Sequence, residues 1–273
     1  MSQPEQKPYI ALEDVKIKSD ASFRRISDIL FSDESVEVNE KEFLLKVPGV
    51  GSFYACDGKI VEYSAEKGAD PQWVQLYLNN QVLVALLHQR KIISFHASSF
   101  IFSDRGVMLL GETGAGKTSL MVAFSLAGAG FLSDDLTPVV FRDNMPHIWS
   151  LSKKVKLRSD AIAQLNISDE KLTDAEAGTG KKYFRLEKCA EEYHRLDIIL
   201  KIETGEVAEP VFRELAATEK FALLRSEVCS SEILEGMPDT ETAYLQQLVK
   251  IIERVHFVRV TRPADIGIKK MHE

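Results

Sequence analysis

Gly111-Glu112-Thr113-Gly114-Ala115-Gly116-Lys117-Thr118 has the spacing G-x-x-x-x-G-K-[ST], and its flanks decide how the chain folds. Before it, Gly106-Val107-Met108-Leu109-Leu110 is short and apolar, as a buried strand is. After it, Ser119-Leu120-Met121-Val122-Ala123-Phe124-Ser125-Leu126-Ala127 carries helix formers at apolar spacing. Strand, loop and helix in that order make a phosphate cradle. The glycines let successive backbone N–H groups turn inward, and the first helical turn adds its partial positive charge. Lys117 is a point charge for the outer phosphates. Thr118 places a hydroxyl where a phosphate-bound Mg²⁺ takes an oxygen ligand. Gly111, Glu112, Thr113, Gly114, Ala115, Gly116, Lys117, Thr118 and Ser119 are therefore the expected nucleotide-binding run.

Working outward, Gly128-Ala129-Gly130 stops the helix, and Phe131-Leu132-Ser133 re-enters the sheet before Asp134-Asp135. An acidic pair at the end of a strand, one helix after the loop, stands where a doubly wound sheet places its ligand-facing groups. One carboxylate suits a metal, and the other suits the proton of an attacking hydroxyl. Their mutual repulsion should raise one pKa. His96 ends the strand-like run Ile92-Ile93-Ser94-Phe95-His96, where an imidazole either orients a carboxylate or touches phosphate, or is a hydrogen-bonded core residue. The polar, glycine-bearing stretch 174–182 reads as a mobile loop, and Lys181, Lys182 and Arg185 are a cationic clamp or a solvated basic segment.

Further from the loop, Ser52-Phe53-Tyr54-Ala55 and Lys59-Ile60-Val61-Glu62-Tyr63 flank Asp57-Gly58 as a hairpin. Asp70-Pro71 is an N-cap with proline in the first turn. Trp73, Leu76, Tyr77, Leu83, Val84 and Leu87 continue from it at helical spacing, with Asn80 the one polar interruption. Thr137-Pro138-Val139-Val140-Phe141 begins a strand that turns at Asp143-Asn144. Residues 196–202 and 256–260 read as strands, and 217–224 and 241–253 as helices.

The 273 residues are 45% hydrophobic and 27% charged, an ordinary globular composition. A net charge of -7 disfavours nucleic acid as a partner. No run is apolar enough to span a bilayer, and the first residues have neither the basic nor the apolar region of a secretory signal, so a cytoplasmic protein is expected. Cys56, Cys189 and Cys229 are widely spaced with no C-x-x-C pair, which argues for buried reduced thiols over a disulfide framework or zinc site.

Taken in order, His96-Ala97-Ser98, Gly106-Val107, Gly111 to Thr118 and Ser133-Asp134-Asp135 resemble the catalytic domain of the HPr kinase/phosphorylase family. The order is the specific part, with a histidine strand before the loop and a strand ending in two aspartates after the loop helix. The likeness is clear over 92–142. It is looser beyond, where Lys182-Tyr183-Phe184 and Val260-Thr261-Arg262-Pro263 resemble smaller HPr kinase-like serine kinases. Glu176-Ala177-Gly178-Thr179-Gly180 is the nearest echo of the family's downstream segment that supports metal binding and the reverse reaction.

The resemblance implies an α/β fold, a P-loop sheet of the HPr kinase and phosphoenolpyruvate carboxykinase type. It would span 67–273 behind a small β-rich N-terminal segment, 1–66. It also implies ATP and Mg²⁺ as cofactors, transfer to a hydroxyl of a protein or peptide carrying an acceptor serine, and, by analogy with the rings of full HPr kinases, a homo-oligomer. Carried over by position, Asp134 would be the general base, Asp135 with Thr118 would serve the metal, Lys117 would hold the triphosphate, and His96 would sit beside the acidic pair. A small-molecule kinase on the same scaffold and a nucleotide-binding regulatory protein with little turnover are the competing readings.

Overall fold

The computed structural model describes residues 10–19, 25–151, 154–174, 180–186 and 192–272. The protein is a mixed α/β chain with several sheets. It divides into two compact units, Met1–Ile92 with Ser230–Tyr244, and Ile93–Cys229 with Leu245–Glu273.

In the first unit, six strands form a sheet in the order Lys16–Ser19, Ile60–Ala65, Gly51–Cys56, Glu42–Val47, Val36–Val38, Phe31–Ser32. All neighbours are antiparallel except the first pair. The hairpin read around Asp57-Gly58 is present. Both turn residues have positive φ, and the Lys59 N–H returns to the Cys56 carbonyl at 3.1 Å, the geometry that matches strand twist. The helix after it starts as its sequence predicts: the Asp70 side chain accepts from the Gln72 N–H at 2.8 Å, and Pro71 fills the first position.

That helix is not uniform. Between Pro71–Tyr77 and Leu83–Gln89 the segment Leu78–Val82 widens to a π-helix. Asn79 and Asn80 there donate to the carbonyls four residues back, at 3.4 and 3.0 Å. The first compact unit takes in this helix and runs on to Ile92. Polar ties join the helix end to the hairpin. Gln89 accepts from the Gly58 N–H at 2.7 Å and donates to the Ala55 carbonyl at 3.1 Å, and Arg90 donates to the Gly58 carbonyl at 2.6 Å.

The second unit is built on a nine-stranded mixed sheet whose pivot is the twelve-residue strand Tyr193–Thr204. Arg105–Leu110 and His256–Arg262 both pair with it in parallel. Ser98–Phe102 runs antiparallel to Arg105–Leu110, and Gly130–Ser133 antiparallel to Ser98–Phe102. Two reversals restore the original direction, so Gly130–Ser133 points the same way as Arg105–Leu110. The C-terminal ends of four strands and the N-terminal end of Ser98–Phe102 therefore lie at one end of the sheet.

On another flank, Thr137–Arg142 and Met145–Trp149 form a hairpin turning at Asp143 and Asn144, both with positive φ. Lys154–Arg158, Lys181–Arg185 and Leu172–Asp174 form a separate antiparallel sheet. The stretch expected to be a mobile loop over 174–182 is strand at both ends: Asp174 closes Leu172–Asp174, and Lys181 and Lys182 open Lys181–Arg185, because both pair in this sheet, with 175–179 outside the described residues. Cys56 and Cys229 are not joined in a disulfide and are half-buried rather than buried, and Cys189 lies outside the described residues.

Leu109, Met121, Val122, Phe131 and Ile202 are fully or almost fully buried in one apolar cluster of the second unit. Strand and loop helix are thus fastened together from behind. Leu109→Ala removes methyl groups from the centre of that cluster and should cost about 2–5 kcal/mol in a urea titration.

Candidate functional site

The strand Arg105–Leu110 ends where Gly111 takes φ +144, and a side chain there would run into the Ile202 carbonyl oxygen of the neighbouring parallel strand. Glycine is therefore required by close approach as well as by conformation. The loop closes on Gly116 at φ 97, which is the N-cap of the helix Lys117–Leu126. Strand, loop and helix follow one another as expected.

Lys117 is 7% exposed, and its ammonium is folded onto the loop, donating to the carbonyls of Gly111 and Glu112. Burial holds its pKa below the usual lysine range, against the pull of Glu227, Asp135 and Asp134.

In the first turn of the helix, Thr118 Oγ1 donates to Asp134 Oδ1 at 2.9 Å, and Ser98 Oγ donates to the same oxygen at 2.6 Å. Asp134 keeps some accessible surface but is densely surrounded by protein. Desolvation, followed by repulsion from Asp135, pushes its pKa up to about 6 despite the two hydroxyls. Asp135 follows in the left-handed region, at φ 66. Of the two aspartates it is Asp134, not Asp135, that meets the Thr118 hydroxyl.

Behind the acidic bend runs a buried hydroxyl chain. Ser99 and Ser133 are 2.7 Å apart, Ser133 and Thr137 are 2.7 Å apart, and Thr137 donates to the Ala97 carbonyl at 3.0 Å. A carbonyl only accepts, and each hydroxyl has one proton. The protons therefore run from Ser99 to Ser133 to Thr137 to Ala97.

His96 occupies the bend between Ile93–Phe95 and Ser98–Phe102 rather than a strand end. Its backbone N–H donates to the Glu227 carbonyl at 2.8 Å, beside an isolated bridge between Phe95 and Val228. Desolvation first, then the Lys117 and Lys181 charges, depress the imidazole pKa, while Asp135 raises it. Near neutral pH the ring is uncharged. Of the basic trio, Lys181 comes close enough to act on His96, while Lys182 pairs with Asp169 at 3.4 Å on the surface and Arg185 is exposed.

Three residues that the sequence did not assign to the site belong to it geometrically. Ser98 appeared only within the family-like run. Glu227, beyond the helix Ala217–Ser226, brings its carboxylate close enough to the Gly111 N–H and Lys117 to feel both. Burial raises its pKa, while those two neighbours lower it. No spacing marks it, because it arrives through a non-local bridge. Arg262 donates to the Ala115 carbonyl from Nε at 3.2 Å and from a terminal nitrogen at 2.9 Å. Arg262, like Ser98, appeared in the sequence only within a family-like run, Val260-Thr261-Arg262-Pro263.

No protein-family model matches the chain, and no curated protein matches it. Among solved structures it is similar to the HPr(Ser) kinase/phosphatase from Coxiella burnetii, at 12% identity and a TM-score of 0.34, over 63% of this chain and 86% of that one. A likeness at that TM-score carries no argument about the chemistry here. Among the described residues, no helix is long and apolar enough to cross a membrane, and no group of three or more His, Cys, Asp or Glu is placed to hold a metal.

The raised pKa of Asp134 has a direct consequence for stability. The folded state holds this proton more tightly than the unfolded chain does, so the stabilising contribution is complete below about pH 4 and lost as pH rises through about 6. Asp134→Asn keeps a carbonyl oxygen for the two hydroxyls and cannot ionise. It should match wild type near pH 4 and exceed it by about 2–3 kcal/mol near pH 7.5, read from denaturant titrations across that range. A difference that does not change with pH would show that Asp134 is not the strained group.

Proposed function

We propose that this protein is an ATP- and Mg²⁺-dependent kinase that transfers the γ-phosphoryl group to the hydroxyl of a serine on a protein or peptide, on a P-loop sheet of the HPr kinase and phosphoenolpyruvate carboxykinase type. The observation that carries the proposal is the meeting, at one sheet end, of the loop lysine, the Thr118 hydroxyl and a carboxylate whose pKa is pushed up to about 6. The ordered motifs His96, Gly111 to Thr118 and Asp134-Asp135, which resemble the family, support it from the sequence side.

The residues fit the cofactors. Thr118 Oγ1 is a hard oxygen donor of the kind Mg²⁺ prefers, and the exposed Asp135 carboxylate directly follows the Asp134 whose Oδ1 lies 2.9 Å from that hydroxyl. A cage made only of protein ligands is not needed, since Mg²⁺ commonly completes its shell with phosphate and water. When bound, Mg²⁺ would neutralise charge on the phosphate oxygens. Thr118 and Asp135 are the residues that would serve it.

The chain's own groups supply the rest. Backbone N–H groups of the loop and the ammonium of Lys117 would hold the triphosphate, once that ammonium exchanges the Gly111 and Glu112 carbonyls for phosphate oxygens. The acceptor oxygen would attack in line. Its proton would pass to the Asp134 carboxylate, the new bond to phosphorus would form, and the bond to the bridging oxygen of ADP would break. A base with a pKa near 6 is better matched to a neutral solution than an ordinary aspartate is. His96, uncharged, would sit beside Asp135 without adding a cation to those already there.

Transfer of labelled γ-phosphate from ATP with Mg²⁺, in lysate of the source cell, tests this reading. Wild type should label a protein or peptide. Asp134→Asn should reduce transfer by about 10²-fold or more while ATP affinity stays within a few-fold. Lys117→Ala should weaken ATP binding itself. Transfer retained by Asp134→Asn would remove that residue from the chemistry. Label found only on a small molecule would reassign the acceptor, and ATP binding with no transfer at all would make the protein a nucleotide-binding regulator.

A further inference from the structure

Arg262 is 8% exposed, and among the described residues its partners are all backbone carbonyls. Two N–H groups, from Nε and one terminal nitrogen, converge on the Ala115 oxygen, and the other terminal nitrogen donates to the Pro263 oxygen at 3.1 Å. No carboxylate among the described residues forms an ion pair with it. Burial alone moves its pKa, downward, with no neighbouring charge contributing.

This is an expensive position for a guanidinium. A buried cation without a counter-charge is unfavourable, and the carbonyl it holds lies one residue before the N-cap of the helix Lys117–Leu126, whose end carries partial positive charge. A salt bridge does not explain the arrangement. An anion in the loop would.

The sheet explains how the arginine arrives. His256–Arg262 runs parallel to Tyr193–Thr204, which runs parallel to Arg105–Leu110, so all three end on the loop side. Arg262 pairs with Thr204, and its carbonyl accepts the Gly205 N–H at 2.9 Å, so the backbone that carries the guanidinium is fixed.

The consequence follows from peptide geometry. Among the described residues no peptide bond is cis, and in a planar trans peptide the C=O and the following N–H point in opposite directions. Holding the Ala115 carbonyl on Arg262 therefore turns the Gly116 N–H the other way. Among the described residues no acceptor meets that N–H. Gly116, at φ 97, is the residue whose backbone conformation allows this orientation, and a terminal nitrogen of Arg262 lies 3.6 Å from where a side chain on it would begin.

We propose that Arg262 is a positioning residue of the phosphate loop, clamping the Ala115–Gly116 peptide through a two-donor grip on the Ala115 carbonyl so that the Gly116 N–H is presented to a phosphate oxygen. The grip needs a planar fork. Lysine would keep the charge but act as a single, freely rotating point. Bound phosphate then also supplies the anion that Arg262 lacks.

This inference rests on the phosphate-binding reading of the loop, so the test separates the two. Binding of inorganic tripolyphosphate to the full chain is measured by calorimetry for wild type, Lys117→Ala, Arg262→Lys and Arg262→Met, with the urea midpoint of each ligand-free protein. Lys117→Ala and Arg262→Lys should each bind about tenfold more weakly than wild type, and Arg262→Met more weakly still. The midpoint of Arg262→Lys should stay at that of wild type, which separates loss of positioning from loss of folding. Wild-type affinity in Lys117→Ala overturns both readings. Loss in Lys117→Ala with wild-type affinity in folded Arg262→Lys overturns this inference alone. A readout independent of the variants' folding is the Gly116 amide resonance of the wild-type protein, which should move downfield on adding tripolyphosphate; an unmoved resonance in a protein that binds the anion also overturns it.

Discussion

One carboxylate oxygen joins three parts of the second unit. Asp134 Oδ1 accepts hydroxyls from Ser98, at the start of one strand, and from Thr118, in the first turn of the loop helix, while its own backbone closes a third element. These contacts exist because the strand directions alternate twice between the loop strand and the aspartate strand. With one reversal fewer, Asp134 would emerge at the opposite end of the sheet from Gly111. Topology thus sets the site, and the hydroxyl chain from Ser99 to Ala97 holds the acidic bend from behind. A buried network of this kind is rigid when every member is satisfied, and here each proton has one destination.

Legibility in the sequence followed how local each signal was. The loop, its strand and its helix are contiguous, so spacing and hydrophobic pattern were enough to place them. Asp57-Gly58, Asp70-Pro71 and Asp143-Asn144 were legible for the same reason, since turn and cap chemistry acts over two to four residues. The acidic pair was legible as a pair, but not in its internal division of contacts. Which aspartate faces Thr118 depends on a left-handed residue at Asp135 that no spacing announces.

Non-local features were out of reach. Glu227 reaches Gly111 because the segment after the helix Ala217–Ser226 adds a bridge beside Phe95, a pairing of residues more than a hundred positions apart. Arg262 reaches Ala115 only through two successive parallel pairings. The extent of the first unit is non-local in the same way. Hydrogen bonds from Gln89 and Arg90 bind the helix to the hairpin before it, and these depend on tertiary contact that helical periodicity does not encode.

The charges at the loop end form a set that is incomplete without an anion. Lys117 draws on Glu227, Asp135 and Asp134 for compensation, and its ammonium meanwhile rests on loop carbonyls. Arg262 has carbonyl partners and no carboxylate among the described residues. None of the three carboxylates acts on Arg262, and Asp134 is already strained by Asp135. A phosphate chain would answer both cations together, and a divalent cation beside Thr118 would answer the aspartates. Oppositely charged groups held apart by the fold, each short of a partner, favour a ligand that carries both signs. A nucleoside triphosphate with its metal ion has that character, whereas a neutral ligand or an isolated cation would leave the cations of the loop as they are.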